Sequence, residues 1–262
     1  MFRGKMSNTN IEKIGCFNLI LDPYNGITID SKDLPNTKEE FEKNLLVLID
    51  ELKSKRNLIW IYINIEKSDF IFVATKEGFI FHSCYENAVL LVKRLKEDAI
   101  IPTPANHTLG VGAVVINEKN ELLVIKEKIS NIGYKLPGGH IDDSEMISVA
   151  LEREVLEETG IIVEFESVIS LGHFYPHQFH KSNLYILCKA KPKTYEINIQ
   201  DNDEIIDAKW VDVNEYLLDE DVLEYSKAIV MASLKNSGFG RINQELLCHI
   251  KKDFELFFPI ES

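Results

Sequence analysis

The sequence predicts two domains of mixed α/β (α+β) class, and three observations lead to this prediction. The chain of 262 residues is longer than one small hydrophobic core requires. Strand-like and helix-like patterns alternate in both halves of the chain. Between the halves, Pro102 and Pro104 resist both helix and central strand. We therefore expect a flexible N-terminus over residues 1–13, a smaller α/β domain over 14–101 and a larger domain over 102–262.

Turn and capping signals separate the predicted elements of the smaller domain. Asn25-Gly26 is a hairpin signal after the first strand, and Thr37 with Glu40 forms a capping box before the first helix. His82 has no second ligand at metal spacing, so we expect a structural imidazole that is hydrogen-bonded to the backbone. Strands are predicted over residues 16–21, 58–63 and 79–82, and helices over 37–55, 68–76 and 86–97.

The larger domain is predicted to be richer in strands. Residues 117–120 have the composition of a hairpin loop between its first two strands. The aromatic C-terminal end, residues 254–259, is compatible with packing on either domain or across a homodimer. Strands are predicted over residues 109–116, 122–126, 161–171, 183–189 and 205–211, and a helix over 222–234.

The composition indicates a globular protein with a strong negative charge. The formal net charge is −13, so the electric field repels nucleic-acid backbones, and no basic stripe interrupts it. No apolar run approaches the roughly 18 residues that a membrane-spanning helix needs, and the first residues lack the apolar core of a secretory signal. Cys16, Cys84, Cys188 and Cys248 lie far apart without a CxxC pair. We expect reduced thiols in a cytoplasmic protein, with neither membrane association nor non-specific nucleic-acid binding.

An acidic segment in the larger domain carries the candidate chemistry. Glu154, Glu157 and Glu158 are spaced i, i+3 and i+4, so their carboxylates share one helix face within an arc of roughly 100°. Such a cluster needs a counter-charge that Arg153 alone does not supply. Oxygen ligands in this number suit a hard divalent cation, Mg²⁺ or Mn²⁺. The alternative is a solvated acidic helix face.

Flanking residues favour a structured site over a solvated helix face. Ile147, Leu151 and Val155 form an apolar stripe beside the acidic arc, which places its edge against a core. Gly160 is expected to close the helix at its C-terminus, and residues 142–144 have the composition of an N-cap.

The segment from Gly139 through Glu145 to residues 153–161 resembles a complete Nudix box, with aliphatic residues at Val155 and Ile161. The resemblance implies an α/β/α sandwich with a mixed sheet. It also implies metal-assisted cleavage of a diphosphate that joins a nucleoside to a further group.

Individual roles follow from this resemblance and from the carboxylate spacing. Glu154, Glu157, Glu158 and the Gly138 carbonyl are the expected metal ligands. Arg153 is expected to orient a glutamate of the cluster, and Glu145 to complete the outer shell that fixes the ligands. The base that accepts a proton from water is either a glutamate of the box or Glu204, six residues ahead of Trp210.

The smaller domain resembles the one that precedes the Nudix fold in the fibroblast growth factor antisense-protein branch and in related plant enzymes. This resemblance implies an acetyltransferase-like fold for the smaller domain. Residues 14–100 lack the glycine-rich turn that acetyl-CoA would need, so packing, dimerisation or partner binding is the expected role. The residues that carry the resemblance are Trp60, Gly78, Phe79, Phe81, His82, Pro102, His107, Gly110 and Val111.

The loop after the box supplies candidate substrate contacts. Phe174, Tyr175, Pro176 and His180 offer aromatic and imidazole groups for a nucleotide, although a loop that caps the core is the alternative. Pro176 stands fifteen residues beyond Ile161, which is similar to a position that marks ADP-ribose pyrophosphatases. ADP-ribose is therefore the first expected substrate and NADH the second. A nucleotide-sensing or protein-binding Nudix protein with little turnover, and an RNA 5′-end hydrolase, are the alternatives.

Overall fold

The chain divides into two compact units, residues 1–105 and residues 106–262. A computed structural model of the protein describes residues 11–129, 133–242 and 253–260. Each unit combines parallel and antiparallel strand pairs in one sheet with packed helices, which confirms the predicted fold class. No helix within the described ranges has the length and apolar character that crossing a membrane requires.

The first unit is a six-stranded mixed sheet with two helices on one face. Its elements are β1 (Ile11–Ile14), β2 (Phe17–Leu21), β3 (Ile27–Ile29), α1 (Lys38–Leu52), β4 (Leu58–Asn64), α2 (Asp69–Lys76), β5 (Ile80–Cys84) and β6 (Ala88–Arg94). The strand order is β1-β2-β3-β4-β6-β5, and β3 and β4 are parallel. Phe41 of α1 stacks on Phe70 of α2 with ring centroids 4.6 Å apart, inside a core shared with the strands. β1 includes residues expected in the flexible N-terminus, and residues 1–10 lie outside the described ranges.

Local signals in the first unit are confirmed. β2 and β3 pair as an antiparallel hairpin, and Asn25 adopts a φ of 57° in the turn. The Thr37 side chain accepts a hydrogen bond from the Glu40 amide at 3.2 Å, which is the first of the two bonds of a capping box. His82 Nε2 lies 2.8 Å from the Pro102 carbonyl oxygen and Nδ1 lies 2.9 Å from the Ser83 hydroxyl, so this histidine is structural.

The helix predicted over residues 86–97 is wrong. Residues Ala88–Arg94 form β6, which pairs antiparallel with β4 along its whole length. Leu90, Leu91 and Val92 are all buried, on both faces of the sheet. A continuous apolar run of this kind fits a central strand as well as a helix, and the pairing partner decides between them.

The second unit contains a second six-stranded mixed sheet and a separate strand pair. Its elements are β7 (His107–Val115), β8 (Glu121–Glu127), β9 (Gly138–His140), α3 (Ile147–Thr159), β10 (Val163–Phe174), β11 (Ser182–Pro192), β12 (Ile205–Asp212), α4 (Val213–Leu218), α5 (Glu224–Lys235), β13 (Phe239–Arg241) and β14 (Phe257–Pro259). The main sheet has the order β14-β13-β10-β11-β7-β9, with β11 parallel to β7. β8 pairs with β12.

The main sheet of the second unit lies between helices, in an α/β/α arrangement. Val111 and Ala113 of β7 pack in the core that includes α3, whereas Val114 packs in the core that includes α4 and α5. This alternation is that of a strand buried on both faces. The strands and the final helix predicted for this domain are confirmed. At the C-terminal end, Phe257 packs against Phe165 with ring centroids 5.5 Å apart, so this end lies on the second unit.

Candidate active site

Helix α3 presents the acidic residues at the edge of the core. Leu151 and Val155 are fully buried and Ile147 is partly buried, so the predicted apolar stripe is confirmed. The helix ends at Gly160, which adopts a left-handed φ of 75° and confirms the predicted C-cap. Because the stripe fixes the rotation of α3, the adjacent carboxylates face the glycine-rich strand β9.

The N-terminus of α3 is capped from the C-terminal segment, and the N-cap predicted at residues 142–144 is wrong. One carboxylate oxygen of Glu255 accepts a hydrogen bond from the Ile147 amide at 2.7 Å. Its other oxygen accepts from the Ser148 amide at 3.3 Å and from the Ser148 hydroxyl at 2.5 Å. Glu255 is 107 residues from Ser148 in sequence, so no local pattern could indicate this cap.

Arg153 lies at the centre of the cluster and contacts three of its glutamates. Its Nε and Nη2 donate to the two oxygens of Glu145 at 2.9 and 2.8 Å. Its Nη1 donates to Glu154 at 2.9 Å and to Glu157 at 3.1 Å, and Nη2 also donates to the His140 carbonyl at 3.0 Å. The Glu145 hydrogen bonds are the main reason that the pKa of Arg153 is raised, and they lower the pKa of Glu145.

Glu158 is the most deeply buried glutamate of the predicted site, with 4% of its surface exposed. The Gly138 amide donates to its Oε2 at 2.7 Å. Burial raises the pKa of Glu158 to about 8, and the nearby charges of Glu154 and Glu204 act in the same direction. The Gly138 hydrogen bond and the charge of Lys135 oppose this shift. The site therefore holds a carboxyl group whose charged form is costly.

Two glycines let β9 approach these carboxylates closely. Gly138 has a φ of 145°, and a Cβ atom there would lie 2.2 Å from the Val111 carbonyl oxygen. A Cβ atom on Gly139 would lie 2.4 Å from Oε2 of Glu154. Glu154 and Glu158 therefore meet successive residues of the same strand.

The turn before β12 brings Glu204 to the same cluster. The amides of Gln200 and Asp201 donate to the Glu157 carbonyl oxygen at 3.0 and 2.8 Å, which anchors this turn on the end of α3. The charge of Glu204 contributes to the raised pKa of Glu154, although burial is the larger cause and Arg153 opposes it. Five carboxylates from three segments of the chain are therefore grouped in space: three on α3, Glu145 before it and Glu204 on this turn.

The donor set fits a hard divalent cation. The five carboxylates outnumber the two nearby cations, Arg153 and Lys135, and their mutual repulsion contributes to the raised pKa values of Glu154 and Glu158. Within the described ranges, no three carboxylate, histidine or cysteine groups already converge as a ready-made metal site. Arg153 instead pairs with Glu145, Glu154 and Glu157, while Glu158 takes the Gly138 amide.

A cavity of about 290 Å³ with aromatic walls shares Lys135 and Tyr185 with the surroundings of Glu158. Tyr185 lines it, and burial together with the charge of Glu158 raises the pKa of this tyrosine. Phe174 also lines it and packs edge-on against Tyr225, with ring centroids 5.9 Å apart. Residue spacing gave no signal for the tyrosines or for Lys135, because their strands and helices meet only in the fold.

The other predicted substrate contacts lie in the loop after β10. Tyr175 is 71% exposed and is joined to Pro176 by a cis peptide bond. His180 is exposed and has a φ of 58°. The structure therefore brings Phe174 to the cavity and leaves the side chains of Tyr175 and His180 in solvent.

Comparison with known proteins gives family matches to both units. Residues 106–231 match the NUDIX domain and residues 17–95 match the Nudix hydrolase domain. A solved MutT NUDIX hydrolase from Burkholderia pseudomallei aligns with a TM-score of 0.42 and 20% identity, covering 49% of this chain and 98% of that one.

Two curated relatives align with most of this chain. Nudix hydrolase 8 of Arabidopsis thaliana is 34% identical over 204 residues, which cover 75% of this chain and 55% of that protein. Nucleoside diphosphate-linked moiety X motif 6 of Homo sapiens is 32% identical over 237 residues, which cover 85% of this chain and 74% of that protein. The alignment thus spans about half the length of the Arabidopsis protein.

Proposed function

The chain belongs to the Nudix hydrolase family, and on that premise we propose that it is a metal-dependent pyrophosphohydrolase. Its substrate is a nucleoside diphosphate linked to another group. The preferred substrate is ADP-ribose, cleaved to AMP and ribose 5-phosphate, and NADH is the second. One observation carries the proposal. The buried Glu158 accepts a hydrogen bond from the Gly138 amide, within a group of carboxylates that outnumber the positively charged side chains nearby.

In this proposal Mg²⁺ or Mn²⁺ is held by Glu154, Glu157, Glu158 and the Gly138 carbonyl. A divalent ion held there would neutralise diphosphate oxygens and make the attacking water more acidic. The excess of hard oxygen donors supports this assignment, because it matches the preference of these ions.

The protein's own side chains fix the site and handle the proton. Arg153 restrains Glu145, Glu154 and Glu157 through hydrogen bonds and offsets part of their repulsion. The Gly138 amide orients the buried Glu158. A glutamate of the cluster, or Glu204 on its anchored turn, accepts the proton of the attacking water.

The substrate assignment rests on two kinds of support. The cavity that Lys135 and Tyr185 line has aromatic walls that suit a nucleoside, with Phe174 and Tyr225 among them. The position of Pro176 relative to the box favours ADP-ribose over NADH. We also propose a cytoplasmic location, where such a hydrolase has access to both compounds.

A substrate screen with identified products tests this function. The full chain is incubated with ADP-ribose, NADH, other nucleoside diphosphates and capped RNA, with Mg²⁺ or with EDTA. Release of AMP and ribose 5-phosphate from ADP-ribose, dependent on Mg²⁺, is the expected result. Tight nucleotide binding without product would instead support a sensor, and product from capped RNA alone would support an RNA 5′-end hydrolase.

A further inference from the structure

Two histidines that are not part of the carboxylate cluster meet on the main sheet of the second unit. His107 begins β7 and His173 lies near the end of β10. β11 separates these strands, which are therefore about 9.6 Å apart. The two side chains reach across β11, and their Nε2 atoms lie 3.3 Å apart with ring centroids 5.2 Å apart.

Both distances match two imidazoles that share one tetrahedral metal ion. With Zn–N bonds of about 2.05 Å, a tetrahedral angle places two ligand nitrogens roughly 3.3 Å apart. Since each ring centre lies roughly 1.2 Å behind its nitrogen, the same geometry places the ring centres roughly 5.2 Å apart. The same two nitrogens also lie within hydrogen-bonding distance of each other, so a zinc titration is needed to distinguish metal binding from an imidazole–imidazole hydrogen bond.

Asn106 fixes the tautomer of the His107 imidazole. His107 Nδ1 lies 2.6 Å from Oδ1 of Asn106, an oxygen that only accepts hydrogen bonds. Nδ1 therefore carries the proton, and Nε2 has a free lone pair directed towards His173. Metal-binding histidines are commonly oriented by such a carbonyl on the opposite ring nitrogen.

We propose that His107 and His173 bind a late divalent transition metal of the Zn²⁺ class. Imidazole nitrogen suits such ions, whereas Mg²⁺ prefers oxygen, so this site differs in selectivity from the carboxylate cluster. Within the described residues no third histidine, cysteine or carboxylate joins the pair as a ligand group, and water completes the shell. The bound ion would link β7 to β10 across β11.

The site lies on the sheet face opposite the aromatic cavity. Phe174, which lines the cavity, follows His173 directly, and neighbouring residues of a strand point to opposite faces. Both histidines are exposed, so an ion reaches them from solvent. None of the proposed catalytic residues belongs to this pair, so zinc binding can be tested separately from hydrolysis.

Zinc titration of the full chain tests this inference. To silence the carboxylate cluster, the titration uses the Glu157→Gln/Glu158→Gln variant with excess Mg²⁺, and calorimetry measures the affinity for Zn²⁺. We expect one zinc ion per chain, and an affinity at least tenfold weaker after either His107→Gln or His173→Gln. The matched control is His82→Gln, because both ring nitrogens of His82 are already engaged.

A second readout separates metal binding from a loss of folding. In the same Glu157→Gln/Glu158→Gln background, Zn²⁺ should raise the thermal midpoint. This shift should disappear when either His107→Gln or His173→Gln is added, while the midpoint without metal stays the same. Unchanged zinc affinity in both variants, or an equal loss in His82→Gln, would overturn the proposal.

Discussion

At the scale of single residues, burial makes Glu158 different from the other glutamates of the cluster. Its folded-state pKa is about 8, against an ordinary value of 4.5. Between these values the folded protein retains a proton that the unfolded chain has released. The stabilisation from this proton is complete below pH 4.5 and is lost as the pH rises through 8. Metal-free protein should therefore become less stable over this range.

Glu158→Gln should remove this part of the pH dependence, because glutamine stays neutral. In EDTA, we expect the variant to exceed the parent thermal midpoint by several degrees at pH 8.5, with little difference at pH 5. Thermal unfolding across the pH range measures this. Glu224→Gln, which changes an 88% exposed side chain, is the control and should follow the parent curve. Parallel curves for Glu158→Gln and the parent would contradict the account of burial.

Arg153 contributes a shape that lysine does not reproduce. Its planar guanidinium bonds to three carboxylates at once, whereas an ammonium group lacks this fork. Arg153→Lys should lower kcat/KM for ADP-ribose by about 10- to 100-fold. Steady-state kinetics with Mg²⁺ measures the loss. Arg56→Lys, which changes an arginine of the first unit bonded to Glu12, should stay near the parent value. Comparable losses in the two variants would argue against a role for Arg153 in the site.

At the scale of elements, the cap of α3 joins the C-terminal segment to the helix that carries the site. The Glu255 side chain is only 4% exposed and accepts three hydrogen bonds from the first turn. Glu255→Ala leaves these donors without a partner and should destabilise the second unit by about 1–3 kcal/mol. A lower thermal midpoint is the measurement.

Two further variants define this effect. Glu255→Gln keeps both the length and an accepting oxygen, so its loss of stability should be smaller. Asp253→Ala removes an exposed carboxylate from the same segment and should leave the midpoint unchanged. Equal midpoints for Glu255→Ala and the parent would exclude Glu255 as a stabilising cap.

The same elements show what the sequence can predict. The stripe of α3 and its glycine C-cap depend on neighbours within a few turns, so residue spacing indicates both. The cap at Glu255 and the pairing that makes β6 a strand depend on partners distant in sequence. Local patterns therefore indicate features within one helix, but not a cap or a strand partner that comes from a distant part of the chain.

At the scale of the whole molecule, charge and residue spacing predicted the position of the carboxylate site. They predicted only some of the residues that surround it. The box segment pointed to the carboxylates of α3, and its resemblance pointed to Glu204 on a separate turn. Tyr185 and Lys135 were not predicted, because only the packing of β11 and the segment before β9 brings them to Glu158. A homodimer and a role for the first unit in partner binding stay predictions, which light scattering and pull-down of the full chain address.

Turnover of ADP-ribose by Glu157→Gln and Glu158→Gln tests most directly whether these carboxylates hold a catalytic metal ion. Each variant removes one carboxylate charge and nearly preserves side-chain size, so folding should persist by circular dichroism. We expect each variant to lose most of its Mg²⁺-dependent release of AMP. We also expect EDTA to abolish the activity of the unmodified protein and Mg²⁺ to restore it. Near-full activity in both folded variants would contradict the proposed role of these carboxylates.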